Sequence, residues 1–179
     1  MLTDLRDRLA STVEYRWVNG WAYPLGAWWR DPTILREVGP ALANLHKDER
    51  VTLVVGIQSR GLIPAAAVAI HLDVGLVQVA KGVQEDERRP PLRGTTGPDY
   101  KDRNLVLSLH GWQTPPGSRV LIVDDWIETG AQAKVTKSLV EGAGGVVVGT
   151  VVVVDDTDAS VRRALNLKSL LRMHDVALR

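Results

Sequence analysis

The chain has 179 residues, 45% hydrophobic and 24% charged, with a formal net charge of +1. That fits one globular domain over residues 1–179 and gives no electrostatic reason to expect nucleic acid or an anionic membrane as a partner. It contains no Cys, which excludes disulfides, thiolate nucleophiles, iron–sulfur clusters and Cys-ligated zinc. No run is apolar for long enough to span a bilayer. The opening Met1-Leu2-Thr3-Asp4-Leu5-Arg6 lacks the order of a signal peptide, so the expected compartment is the cytoplasm.

Leu2, Leu5, Leu9 and Val13 recur at helical spacing and predict an amphipathic helix over 2–16. Residues 17–32 are rich in Trp, Gly and Pro and read as irregular; four of the six Trp lie at 17, 21, 28 and 29. A second helix is expected over 32–46, with Pro32 at its start. Val51-Thr52-Leu53-Val54-Val55 then predicts a buried strand, 62–72 an Ala-rich helix and 75–79 a second strand. Residues 82–103 carry Glu85-Asp86-Glu87-Arg88-Arg89-Pro90-Pro91 and then Gly94 and Gly97, and predict a long polar loop of the kind that serves as a lid. A short strand follows near 105–110. Then come an apolar strand at 120–123, a helix at 131–142, a strand at 146–154, a short helix at 158–166 and a last strand at 169–173. Strands that are apolar throughout and alternate with helices predict an α/β fold, a parallel sheet covered on both faces. The histidines, His46, His71, His110 and His174, have no metal-ligand spacing and read as packing or surface residues.

The stretch that carries chemistry is Val120-Leu121-Ile122-Val123-Asp124-Asp125-Trp126-Ile127-Glu128-Thr129-Gly130-Ala131-Gln132. Two acids stand where a buried strand is expected to end, and ligands of open α/β sheets sit beyond the carboxyl ends of strands. Thr129-Gly130 then opens a helix, whose N-terminus favours an anion. Carboxylates for hydroxyls beside a cradle for phosphate point to a ribose 5-phosphate. The Walker and dinucleotide glycine patterns are absent. A second stretch, Val151-Val152-Val153-Val154-Asp155-Asp156, repeats only the first half of the pattern and reads as a strand end followed by a helix cap.

The segment 120–132 resembles the signature of the type I phosphoribosyltransferase family, closest to its adenine-specific members. The resemblance extends over about residues 20–155. Residues 54–61 resemble the family's pyrophosphate loop, Lys81 its pyrophosphate-facing lysine, residues 26–31 its N-terminal hood motif, and Asp99-Tyr100 the acid–Tyr pair of its mobile loop. The resemblance implies a core with a small hood over residues 1–45 and a mobile loop at 82–103. It implies binding of phosphoribosyl pyrophosphate (PRPP) by Ser59, Arg60, Gly61, Lys81, Asp124, Asp125, Glu128, Thr129, Gly130, Ala131 and Gln132. Trp29, Arg30 and Ile127 would hold the base, and Asp99 or Glu128 would be the catalytic acid. Magnesium would arrive with PRPP rather than in a protein cage, and the assembly would be a homodimer. Four positions depart from the adenine-specific pattern: Glu128 for a small residue, Trp126 for an aliphatic one, Gln132 for Ser or Thr, and Ala80 for Arg. They leave three readings open: transfer to adenine, transfer to a 6-oxopurine or unusual base, and a regulator that senses PRPP without turnover.

Overall fold

The computed structural model describes residues 2–18, 21–97 and 104–176. Helix α1 (Leu2–Ser11) buries Leu5 and Leu9 but ends five residues earlier than its apolar spacing suggests. The Thr12 hydroxyl donates back to the Arg8 carbonyl at 2.7 Å, and the chain enters strand β1 (Val13–Val18). Val13 satisfies either period, but Val, Tyr and Trp favour the extended form. β1 pairs antiparallel with β2 (Trp21–Gly26), so part of the segment expected to be irregular is a hairpin. A 3-10 turn at Ala27–Arg30 follows; it buries Trp28, whose Nε1 donates to the Leu9 carbonyl at 2.9 Å. Helix α2 (Pro32–Asn44) starts as read, with Asp31 accepting from the Thr33 N–H at 2.7 Å.

The main sheet has seven strands in the order β5-β6-β4-β3-β7-β8-β9. Strands β3 (Leu53–Ile57), β4 (Gly75–Lys81), β7 (Arg119–Ile127), β8 (Val146–Asp155) and β9 (Leu167–Arg172) are mutually parallel. Helices α3 (Leu62–Leu72), α4 (Ala131–Gly142) and α5 (Ala159–Leu165) make the crossovers. One face packs Val54, Leu121, Val123, Val151 and Val153 under α1, α2 and α3. The opposite face packs Val55, Ile57, Ile122 and Val152 under α4 and α5. The doubly covered α/β sheet expected from the apolar strands is therefore present. Among the described residues no helix is long and apolar enough to cross a membrane.

The antiparallel edge departs from the sequence reading. Leu92–Thr95, inside the expected loop, is strand β5, paired with β6 (Val106–Leu109), which itself runs antiparallel to β4. The Thr96 N–H donates to the Leu105 carbonyl and the Leu105 N–H to the Thr96 hydroxyl, each at 2.9 Å. The Gly82 N–H donates to the Val106 carbonyl at 2.8 Å. The stretch expected to be one continuous loop is thus pinned at several points along its length.

Candidate active site

Strand β7 keeps two parallel neighbours only as far as Val123, whose partner on β3 is Gly56. It then continues to Ile127 beside β8 alone, through the pairs Trp126–Val154 and Ile127–Asp155. Asp124 and Asp125 therefore lie within the strand, where one side of the sheet opens. The apolar run suggested an end at Val123; pairing to β8 extends it.

Into that opening turns the loop from β3 to α3. A Cβ at Gly61 would stand 2.3 Å from Asp124 Oδ1 and 2.6 Å from the Ile57 carbonyl oxygen, so only glycine lets this loop lie against the acid. Arg60 Nε donates to Asp125 Oδ2 at 2.9 Å. The Gln58 N–H donates to the Val79 carbonyl, and Gln58 Oε1 accepts the Lys81 N–H at 2.9 Å. Loop 58–61, the end of β4 and both acids thus form one connected unit. Burial first, and the neighbouring Asp125 second, hold the Asp124 carboxyl well above its usual range, while the charge of Lys81 opposes the rise. Burial also raises Asp125, against the pull of Arg60. A desolvated acid pair of this kind is best relieved by hydroxyl donors or a counter-charge.

Beyond Ile127, Glu128 is half-buried and Thr129 exposed. Gly130 takes φ +72°, and a Cβ there would stand 2.5 Å from Val161 Cγ1, so the turn is seated directly on α5. Gly130, at the N-cap of α4, has no side chain to cap the helix, and a helix start of this kind favours an anion. Thr129 Oγ1 accepts the Ala131 N–H at 3.3 Å, which leaves its hydroxyl hydrogen to donate. Ala131 and Gln132, both half-buried, form the first turn of the helix. Two acids and an anion cradle therefore sit within nine consecutive residues, Asp124 to Gln132.

The comparisons agree with this geometry. The profile of the phosphoribosyl transferase domain family matches residues 30–173. The chain belongs to the phosphoribosyltransferase family. It is 33% identical to an adenine phosphoribosyltransferase of Solibacter usitatus over 165 residues, covering 92% of this chain and 93% of that one. It is 33% identical to another from Leuconostoc citreum over 135 residues, 75% of each. The crystal structure of an adenine phosphoribosyltransferase from Rhodothermus marinus superposes with a TM-score of 0.83 at 28% identity, covering 96% of this chain and 99% of that one.

The phosphoribosyltransferase site gathers most of the expected residues. Ser59, Arg60, Gly61, Lys81, Asp124, Asp125 and the segment 128–132 surround the carboxyl ends of β3, β4 and β7. Trp29 is half-buried, edge-on to Trp28 with ring centroids 5.7 Å apart, and Arg30 beside it is exposed. Ile127 is a correction. Ile127 is buried, 6% exposed, and packs among Ile122, Val161 and Leu165 on the α5 face, away from the opening of the sheet. Trp126 instead borders the core under α1–α3, on the same face as Trp29. Asp99 and Tyr100 lie outside the described residues. Sequence reasoning gave Gln58 no role of its own; its place in the loop between β3 and α3 was the available signal.

Among the described residues no three His, Asp or Glu side chains gather into a metal cluster. The paired carboxylates Asp124 and Asp125 are nonetheless hard oxygen donors, in keeping with an ion held mainly by substrate phosphates and water.

Proposed function

We propose that this phosphoribosyltransferase transfers the phosphoribosyl group of PRPP to a ring nitrogen of a purine, adenine first, releasing pyrophosphate. The carrying observation is the close approach of Gly61 to Asp124 beside the uncapped start of α4. It brings a pyrophosphate loop, a pair of hydroxyl-binding acids and a phosphate cradle together at one end of the sheet. Asp124 and Asp125 accept the two ribose hydroxyls. Thr129, Gly130, Ala131 and Gln132 receive the 5-phosphate, through backbone amides and the Thr129 hydroxyl. Ser59, Arg60, Gly61 and Lys81 face the pyrophosphate.

As the bond from C1 to pyrophosphate breaks, negative charge grows on the leaving group and positive charge at C1. Lys81 and the amides of loop 58–61 stabilise the first; the acid pair stabilises the second. Arg60 exchanges its bond to Asp125 for the incoming phosphates. Asp124 and Asp125 would help to hold a magnesium ion brought by PRPP, which would supply further positive charge to the leaving group. Trp29 and Arg30 line the base side, and Trp126 is the residue of β7 that turns toward that face. The acid that serves the base nitrogen is Asp99 or Glu128. The protein works as a single catalytic unit in the cytoplasm. A homodimer is supported by apolar side chains left at the surface by α3 and the start of β4: Ile63, Leu76 and Ile70, the last 81% exposed.

The test is pyrophosphate release from PRPP and Mg²⁺ with adenine, hypoxanthine, guanine and xanthine in parallel. Release with adenine alone supports the reading. Release with a 6-oxopurine assigns Glu128 to base recognition, and binding of PRPP without release from any base overturns the enzymatic reading.

A further inference from the structure

The second strand-plus-two-acids stretch has no part in the mechanism above, yet Asp155 is among the most connected side chains in the protein. Its carboxylate is 1% exposed and accepts the Thr157 N–H at 2.7 Å and the Thr157 hydroxyl at 2.6 Å. Arg172 of β9 bonds it, and Arg162 of α5 lies 3.5 Å away while donating to the Thr157 carbonyl. Asp155 thus ties the turn after β8 and the helix that follows to β9.

Both of these elements touch the phosphate loop. Asp155 is the register partner of Ile127, the last strand residue before that loop, and the Asp156 N–H donates to the Ile127 carbonyl at 2.9 Å. Val161, next to Arg162 on α5, is the side chain against which Gly130 is seated. The start of α5 is set by Asp158, which accepts the N–H groups of Ser160 and Val161. Asp155, through Thr157 and Arg162, and Asp158 together fix where α5 stands, so Val161 and Asp156 are held beside loop 128–130.

We propose that Asp155 is a positioning residue for the 5-phosphate end of PRPP: it touches no substrate, but through Val161 and Asp156 it holds the turn at Gly130 in the shape that receives the anion. The inference rests on the reading that residues 128–132 bind the 5-phosphate. A carboxylate is needed because two guanidinium groups converge on it; an amide keeps the size and loses the charge that orients them.

The experiment separates the two ends of the substrate. Binding of ribose 5-phosphate and of pyrophosphate with Mg²⁺ is measured by calorimetry for the wild type, Asp155→Asn, Val161→Ala and Thr129→Val, together with KM and kcat. For Asp155→Asn, the dissociation constant of ribose 5-phosphate and KM for PRPP should rise about tenfold, while pyrophosphate binding and kcat at saturating PRPP stay within about twofold. Val161→Ala, which leaves the buried charges alone, should show the same split to a smaller degree and carries the test if Asp155→Asn does not fold. Equal weakening of both ligands would mean general loosening and overturn the proposal. So would unchanged ribose 5-phosphate binding in both variants while Thr129→Val weakens it. Unchanged binding in Thr129→Val, or none in the wild type, would instead remove the reading of loop 128–132 itself.

Discussion

Replacing Gly61 by Ala tests the central contact of the site. The new methyl group would meet Asp124 Oδ1 at 2.3 Å and the Ile57 carbonyl oxygen at 2.6 Å, so about 1 Å of movement is needed to reach ordinary contact distance. The carboxylate has little freedom to supply it, because Oδ1 accepts the Asp125 N–H at 2.9 Å. Turning it away gives up a hydrogen bond worth about 1 kcal/mol and moves an acid needed for the ribose. Ile57 is backbone inside β3 and cannot yield. The remaining response is for loop 58–61 to rise, carrying Arg60 with it and loosening the tie between Gln58 and Lys81. A displacement of that size at a reacting centre costs about 10²-fold in rate, or about 2.7 kcal/mol of transition-state stabilisation. The assay is pyrophosphate release with PRPP varied at saturating adenine, alongside a thermal melt. The expected result is kcat/KM for PRPP lower by about two orders of magnitude, with unfolding still cooperative. Gly111→Ala is the control, since its Cβ would meet nothing closer than 3.5 Å. If Gly61→Ala retains kcat/KM within about twofold of wild type, the close approach is irrelevant to catalysis and the argument fails.

Asp124→Asn should raise the melting temperature of the ligand-free enzyme at pH 7 to 8 while nearly abolishing turnover. The folded state holds the Asp124 proton more tightly than the unfolded chain does, so the carboxylate costs stability increasingly as pH rises above the ordinary value of about 3.9; a lower melting temperature at pH 8 would contradict this. His46 behaves as the opposite case. Burial, helped by the charge of Lys168, depresses its pKa, so stability is full above about pH 6.5 and falls as pH drops below it. His46→Gln should flatten that slope in melts between pH 5 and 7, and an unchanged slope would assign the loss elsewhere. Gly130→Ala combines a left-handed φ with a collision against Val161, and should lose at least about 1 kcal/mol in denaturant unfolding as well as raising KM for PRPP. Ile70→Asp should shift the sedimentation coefficient from dimer to monomer; a monomeric wild type would refute the proposed face.

Much of the fold was legible because its signals are local. Leu62–Leu72 and Ala131–Gly142 fall where they were read, since Gly61 and Gly130 mark their starts and apolar strands precede them. What escaped was set by partners distant in sequence. Leu92–Thr95 has one large apolar residue and a glycine, and is a strand only because β6 returns beside it. The length of β7 depends on β8, and an error of four residues there sent Ile127 to the base when packing against α5 holds it in the core. The acids and the turn into α4 were readable as neighbours because they lie in consecutive residues. The ties of Asp155 were not, because Arg172 is seventeen residues away and Val161 meets Gly130 only through packing.

The pairing of Thr96 with Leu105 changes the polymer physics of the expected lid. A chain tethered only at residues 82 and 105 would pay a closure entropy set by its whole span. With fixed points at Thr96 and Leu105, the sequence separation between neighbouring tethers is that of 96 and 105. Closure entropy grows with the logarithm of length, so the difference is about 1 kcal/mol at room temperature. Residues inserted between 97 and 104 should therefore cost folding little, since closure grows only with the logarithm of length. The same number of residues added to the Pro90-Pro91 stretch lie on the other side of β5 and should leave the closure between Thr96 and Leu105 unchanged.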